Sequence, residues 1–238
     1  MSRRAVDWTA LRAPQPGAPE AASLRERKKR LMRQQLSDTA TEMFIDRGFD
    51  AVRVAEVAAA CGVSEKTVYN YFPTKESLLL DRWDSTMASL RTGLADPHVS
   101  PVQAALRILG DELRGLTSWL AAQDDPVAAR ALFQRFGTMI SATPALRVHQ
   151  RDMTDRLIAA AAEILARRVG MDPDDPEPQI AATAVLGLWH VQFNSLRKHL
   201  GGTHPPARLH QAVTRDVERA AHLIDTGLHS LERADHPK

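Results

Sequence analysis

Residues 54–72 read Val54-Ala55-Glu56-Val57-Ala58-Ala59-Ala60-Cys61-Gly62-Val63-Ser64-Glu65-Lys66-Thr67-Val68-Tyr69-Asn70-Tyr71-Phe72, and this stretch decides the fold. Val54, Val57 and Ala58 give a short helix one apolar face. Ala58 is small and lets a second helix cross closely. Gly62 supplies the backbone freedom a tight turn needs. Val63 is an apolar plug inside that turn, and Ser64 is a good N-cap for the next helix. Val68 and Phe72 stand four apart and face a core, which leaves Glu65, Lys66, Thr67, Tyr69, Asn70 and Tyr71 pointing elsewhere. The spacing predicts short helices over about 54–61 and 65–71, joined as a helix-turn-helix. The second shows short polar and aromatic side chains outward and has the diameter of a major-groove reader.

Upstream lies a block of charge. Residues 1–36 hold nine Lys/Arg and three acids, a local net of +6, and five of the six residues from Arg25 to Arg30 are basic. The whole chain carries only +2, so the other 202 residues carry −4. A basic block beside a mildly acidic body suggests a polyanion contact at one end. Residues 1–22 contain Pro14, Pro16 and Pro19 without periodicity and read as a flexible arm. From Leu24 a helix begins, with Met32, Leu36, Ala40, Met43 and Phe44 on one face and Gly48 as a left-handed cap.

Downstream the period stays helical. A helix is expected from about Lys75 to Gly93, then over 101–121, 126–141 and 144–169. The run Asp172-Pro173-Asp174-Asp175-Pro176-Glu177-Pro178 breaks the pattern before helices over 179–200 and 206–233. The helix through Ile180, Ala184, Leu188 and Val191 is apolar nearly all round and must be buried nearly all round. With the long stripe Leu209, Val213, Val217, Ala220, Ile224, Leu228 and Leu231, it favours a homodimeric four-helix contact through the last two helices. Runs of alternating β-branched residues are few, so the expected class is all-α.

Here the residues resemble the TetR family of bacterial transcriptional regulators. The likeness covers about residues 25–85. It rests on the basic start of the first helix, Phe44, Gly48-Phe49, Val54 to Ala58, Gly62-Val63-Ser64, and Thr67 through Leu78. The resemblance implies a two-domain dimer. A three-helix N-terminal unit with the helix-turn-helix (23–85) would bind a near-palindromic operator in double-stranded DNA. A helical C-terminal bundle (86–238) would dimerise and bind a small molecule that releases the DNA.

By matching positions, Lys66, Thr67, Tyr69 and Asn70 would read base edges; an Asn can pair bidentately with adenine. Tyr71, Thr74 and Lys75 match positions that grip phosphate. Arg27, Lys28 and Arg30 would add backbone contacts or reach the minor groove with the arm. The family often has Ser or Thr just before Val54, where this chain has Val52 and Arg53. Side-chain capping is lost there, at a cost of about 1 kcal/mol, and Arg53 would replace it with a charged phosphate contact.

The candidate effector pocket draws on Trp119, Phe133, Phe136, Met139, Met153, Leu157, Trp189, His190, Phe193 and Asn194. His190 and Asn194, four apart in an apolar helix, need partners if buried. Such a lining suits a hydrophobic effector, an acyl chain for example, better than a sugar. No cofactor is expected. His222, Asp225 and His229 share a helix face, yet the expectation is a polar edge rather than a metal site.

Composition bounds the alternatives. The 44% hydrophobic and 25% charged fractions exclude wholesale disorder and fibrous architectures. One cysteine, Cys61, excludes an internal disulfide framework. There is no long apolar run and no secretory h-region, so no membrane partner and a cytoplasmic location are expected. No nucleophile elbow, phosphate loop or metal-ligand cluster points to an enzyme. Two rivals stay open: a DNA-binding regulator or architectural protein without an effector, and a helical enzyme using the C-terminal pocket.

Overall fold

The computed structural model describes residues 24–80, 83–201 and 205–227. The described residues form ten helices and no strand: α1 Leu24–Arg47, α2 Val54–Ala60, α3 Glu65–Tyr71, α4 Ser77–Leu80, α5 Trp83–Ala95, α6 Pro101–Ala121, α7 Pro126–Ala142, α8 Pro144–Val169, α9 Pro176–Leu200 and α10 Pro206–Thr226.

The helix starts are locally encoded. Each helix from α6 to α10 opens with a proline, whose missing N–H and preset φ suit the first turn. Ser100 and Asp125 add side-chain caps to α6 and α7. Two boundaries differ from the periodic reading. α9 begins at Pro176 rather than 179, because prolines within the first turn lack only N–H groups that have no helical partner. The expected helix from Lys75 starts at Ser77, where Thr74 and Ser77 exchange backbone-to-hydroxyl bonds of 3.2 and 3.1 Å. The arm 1–22, Leu228, His229 and Leu231 lie outside the described residues.

α1 packs on α2 and α4, and α2 crosses α3, forming the N-terminal unit. Its core is Leu36, Ala40, Phe44, Val57, Val68, Phe72 and Leu78, all buried. The Ser37 hydroxyl donates to the Leu78 carbonyl at 2.9 Å and ties α4 to α1. In the body, α9 lies against α8 and α10, α10 also rests on α6, and α5 runs against α6 and α8. No described helix is long and apolar enough to cross a membrane.

Asp216 of α10 stitches the last two helices together. It accepts from the buried Ser195 hydroxyl at 2.8 Å and faces His199 at 3.2 Å, with Lys198 and Arg219 at 4.0 and 3.8 Å. The Ser195 bond, then His199 and Lys198, hold its carboxyl below the usual range against the opposing effect of burial. A depressed folded-state pKa gives stability above the unfolded value that is lost as pH falls through the folded one. The stability gap between the wild-type chain and Asp216→Asn, measured by urea unfolding, is therefore expected to be full at pH 7. It should close below about pH 4. A gap that stays constant down to pH 3 would refute this.

Candidate nucleic-acid interface

The helix-turn-helix forms as its residues dictate. Gly62 takes φ +69°, and an added Cβ there would meet nothing within 4 Å, so backbone conformation rather than space calls for glycine. Ser64 accepts the Thr67 N–H at 3.1 Å and caps α3. Ser64→Ala is expected to cost about 1 kcal/mol in chemical denaturation; a loss below about 0.3 kcal/mol would show the cap to be idle.

Val68 and Phe72 are fully buried and plant α3 on the core. The opposite face carries Lys66, Tyr69 and Asn70, all exposed, Tyr69 at 46%. Their side chains have no hydrogen-bond partner among the described residues. Thr67 is half-buried, and its hydroxyl lies 2.8 Å from that of Ser64. The structure thus brings three of the four base-reading candidates onto one open face and ties the fourth into the cap.

The flanking candidates divide. Arg27, Lys28 and Arg30 are exposed along the first turns of α1. The Arg53 side chain, 82% exposed, makes only a long 3.8 Å pair with Glu56 among the described residues. Thr74 is exposed, and Tyr71 is half-buried. Lys75 has an internal engagement: its ammonium donates to the Phe49 carbonyl at 2.6 Å and sits 4.3 Å from the Phe49 ring centroid and 5.6 Å from that of Phe44.

The start of α2 is better satisfied than its sequence suggests. Arginine has no acceptor, so Arg53 caps nothing through its side chain. Instead the Glu56 carboxylate reaches back to accept the Arg53 N–H at 2.8 Å. The Arg47 guanidinium holds the same carboxylate at 2.7 Å. The Arg53 N–H first and Arg47 second keep the Glu56 carboxyl below its ordinary range.

Sequence reasoning missed the cations that brace this surface. Arg33 donates to the Tyr71 carbonyl at 2.8 Å and lies 4.8 Å from the Phe72 ring centroid, fixing the end of α3. Arg135 of α7 donates to the Ile45 carbonyl and stands 3.7 Å from Asp46, joining the body to the end of α1. No local signal marks either residue, because both contacts are long-range.

The ten pocket candidates scatter. Trp119, Phe136 and Leu157 are buried, while Phe133, Met139, Met153, Trp189 and Phe193 are half-buried. His190 and Asn194 are exposed and lie 2.8 Å apart on the outer side of α9, so they are not a buried pair in want of partners. The Trp189 indole donates to Glu112, which also accepts from Thr86. α9 is not buried all round: Ile180 is 67% exposed, and Ala184, Gly187 and Val191 are half-buried. Among the described residues no three His, Cys, Asp or Glu group to hold a metal ion.

Comparison with known proteins agrees with this geometry. Residues 36–81 match the family model described as bacterial regulatory proteins, tetR family. Residues 122–214 match a model described as the MftR C-terminal domain. A Mycobacterium tuberculosis protein named for transcriptional regulation of mycofactocin biosynthesis, MftR, is 29% identical over 64% of this chain and 73% of its own. The transcriptional activator FasR of Mycolicibacterium smegmatis is 28% identical over 73% of this chain and 74% of its own. The transcriptional repressor KstR of Rhodococcus jostii is 27% identical over 69% of this chain and 70% of its own.

Proposed function

The chain belongs to the TetR family of bacterial regulatory proteins, and from this premise we propose that it is a homodimeric, ligand-responsive repressor that binds a near-palindromic operator. The observation that carries the proposal is the open face of α3, where Lys66, Tyr69 and Asn70 stand free on a helix anchored by Val68 and Phe72. Arg27, Lys28, Arg30, Arg53, Tyr71, Thr74 and Lys75 flank that face as the phosphate-gripping set. The division into a DNA-binding unit over 23–85 and a body over 86–238 is supported by the packing of α4 on α1. The outward stripe Ile180, Ala184, Gly187 and Val191 on α9 supports pairing with a second copy through the last two helices.

Major-groove faces recur roughly every 34–36 Å, so a shift of a few ångströms between two recognition helices prevents both from docking. A hydrophobic effector in the body would act by favouring that mismatched state, and it must bind that state better than the DNA-competent one. One tie joins the body to the DNA unit directly, Arg135 of α7 on the Ile45 carbonyl, and inside that unit Ser37 and Leu78 couple α4, which precedes α5, to α1. The named relatives include both an activator and a repressor. Repression therefore needs its own test, by reporter expression with the gene deleted.

The direct experiment is fluorescence anisotropy with DNA upstream of the chain's own gene, repeated with a metabolite panel. Binding in the nanomolar range, well above that to scrambled DNA, is expected. Equal affinity for both would sink the reading. Lys75→Ala is expected to weaken binding to all sequences alike and to lower the salt slope by about one. An unchanged slope with a lower melting temperature would assign Lys75 to holding the Phe49 turn alone.

A further inference from the structure

A cleft of about 420 Å³ opens between α5 and α8, lined by Arg91, Pro97, Glu163, Ile164, Arg167 and Arg168 among others. Its size lies in the range of small-molecule sites, roughly 300–1,000 Å³. Three arginines and one glutamate line it, an excess of +2, within a stretch, residues 37–238, that sums to −4.

The three arginines are not equivalent. Arg168 donates to the Leu94 carbonyl at 2.9 Å and to the Val99 carbonyl at 3.1 Å, so it is held between the end of α5 and the loop that leads to α6. Satisfying one helix-end carbonyl and one loop carbonyl therefore accounts for Arg168. It accounts for neither of the others. Arg167 has a long 3.7 Å pair with Glu163, both side chains mostly exposed, a contact worth little. Arg91 has no partner among the described residues. Like charges that line one concave surface repel unless an anion joins them.

We infer that this cleft binds an organic oxyanion, a carboxylate or phosphate monoester carrying a short apolar stem. Arg91 and Arg167 fork onto the oxyanion from opposite walls, as guanidinium planes do with carboxylate and phosphate. The stem lies on Ile164 and Pro97. Because the cleft spans α5 and α8, occupancy draws α5, the helix that follows α4 of the DNA-binding unit, closer to α8. That consequence rests on the ligand-responsive reading above; the binding itself does not.

The test is calorimetric titration of the full chain with octyl phosphate, octanoate and 1-octanol. The first two separate phosphate from carboxylate, and the alcohol keeps the stem without the charge. At least one anion is expected to bind saturably and weaken with added salt, and the alcohol is not. Arg91→Ala combined with Arg167→Ala is expected to weaken the anion at least about tenfold, and Glu163→Gln to tighten it about two- to threefold. All three side chains are exposed, so these variants should keep the wild-type circular dichroism spectrum. No saturable anion binding, equal binding of octanol, or unchanged affinity in the double variant would overturn the inference. Anisotropy on operator DNA, read separately, reports on the ligand-responsive reading: anion binding that leaves DNA affinity unchanged would refute that reading while the site stands.

Discussion

Lys66→Ala and Asn70→Ala together are expected to abolish most operator discrimination while leaving the chain as stable as the wild type. Both side chains are exposed on α3 and bond nothing among the described residues, so their removal opens no cavity and strands no partner. Stability should stay within about 0.5 kcal/mol. Each lost base contact is worth about 1–3 kcal/mol of discrimination. Specific affinity of the double variant should therefore fall at least about thirtyfold, while affinity for scrambled duplex falls only severalfold. Anisotropy against both duplexes at one fixed salt concentration decides the matter. A uniform loss on both would move these residues into the phosphate-contacting set. Thr67→Ala should disturb discrimination less, because its hydroxyl already faces Ser64.

Phe72→Ala is expected to have the opposite signature, a large loss of stability and a loss of all DNA binding. The ring is fully buried in the N-terminal unit and receives the Arg33 guanidinium at 4.8 Å. Truncating a buried Phe costs about 3–5 kcal/mol, a large part of the 5–15 kcal/mol typical of a whole domain. Phe72 also follows the last turn of α3, with its N–H bonded to the Val68 carbonyl at 2.9 Å. Losing it releases the helix that carries the reading face. Thermal unfolding followed by circular dichroism should show an early transition from the N-terminal unit ahead of the main one. A single unshifted transition, or a change below about 1 kcal/mol, would show that the α3 anchor lies elsewhere.

Much of the fold was legible because its signals are local. The Gly62 turn and the Ser64 cap act over three or four residues, and both occur as read. The prolines that open α6, α7, α8 and α10 are equally local signals. Where the local reading slipped, the cause was also local. The prolines of 173–178 resemble a breaker, yet those at 176 and 178 occupy positions where a helix needs no N–H. The placement of Lys66, Tyr69 and Asn70 on one exposed face followed from the burial of Val68 and Phe72 four residues apart. The pocket candidates were less legible, since an apolar residue at helical spacing has the same pattern whether it lines a cavity or fills a core. His190 and Asn194 show the limit: their spacing put them on one side of α9, and only the packing of α8 and α10 decided that this side faces out.

The sequence alone therefore determined most of the helices, the helix-turn-helix and the side chains left on its open face, because periodicity and capping act within a turn or two of chain. Only the tertiary structure decided which cations brace the fold. Lys75 meets the Phe49 carbonyl 26 residues away, Arg33 meets Tyr71 across 38, and Arg135 meets Ile45 across 90. A basic side chain bound for a phosphate and one bound for a backbone carbonyl look the same in a sequence. The difference is set by which helix end the fold brings within reach of the ammonium or guanidinium.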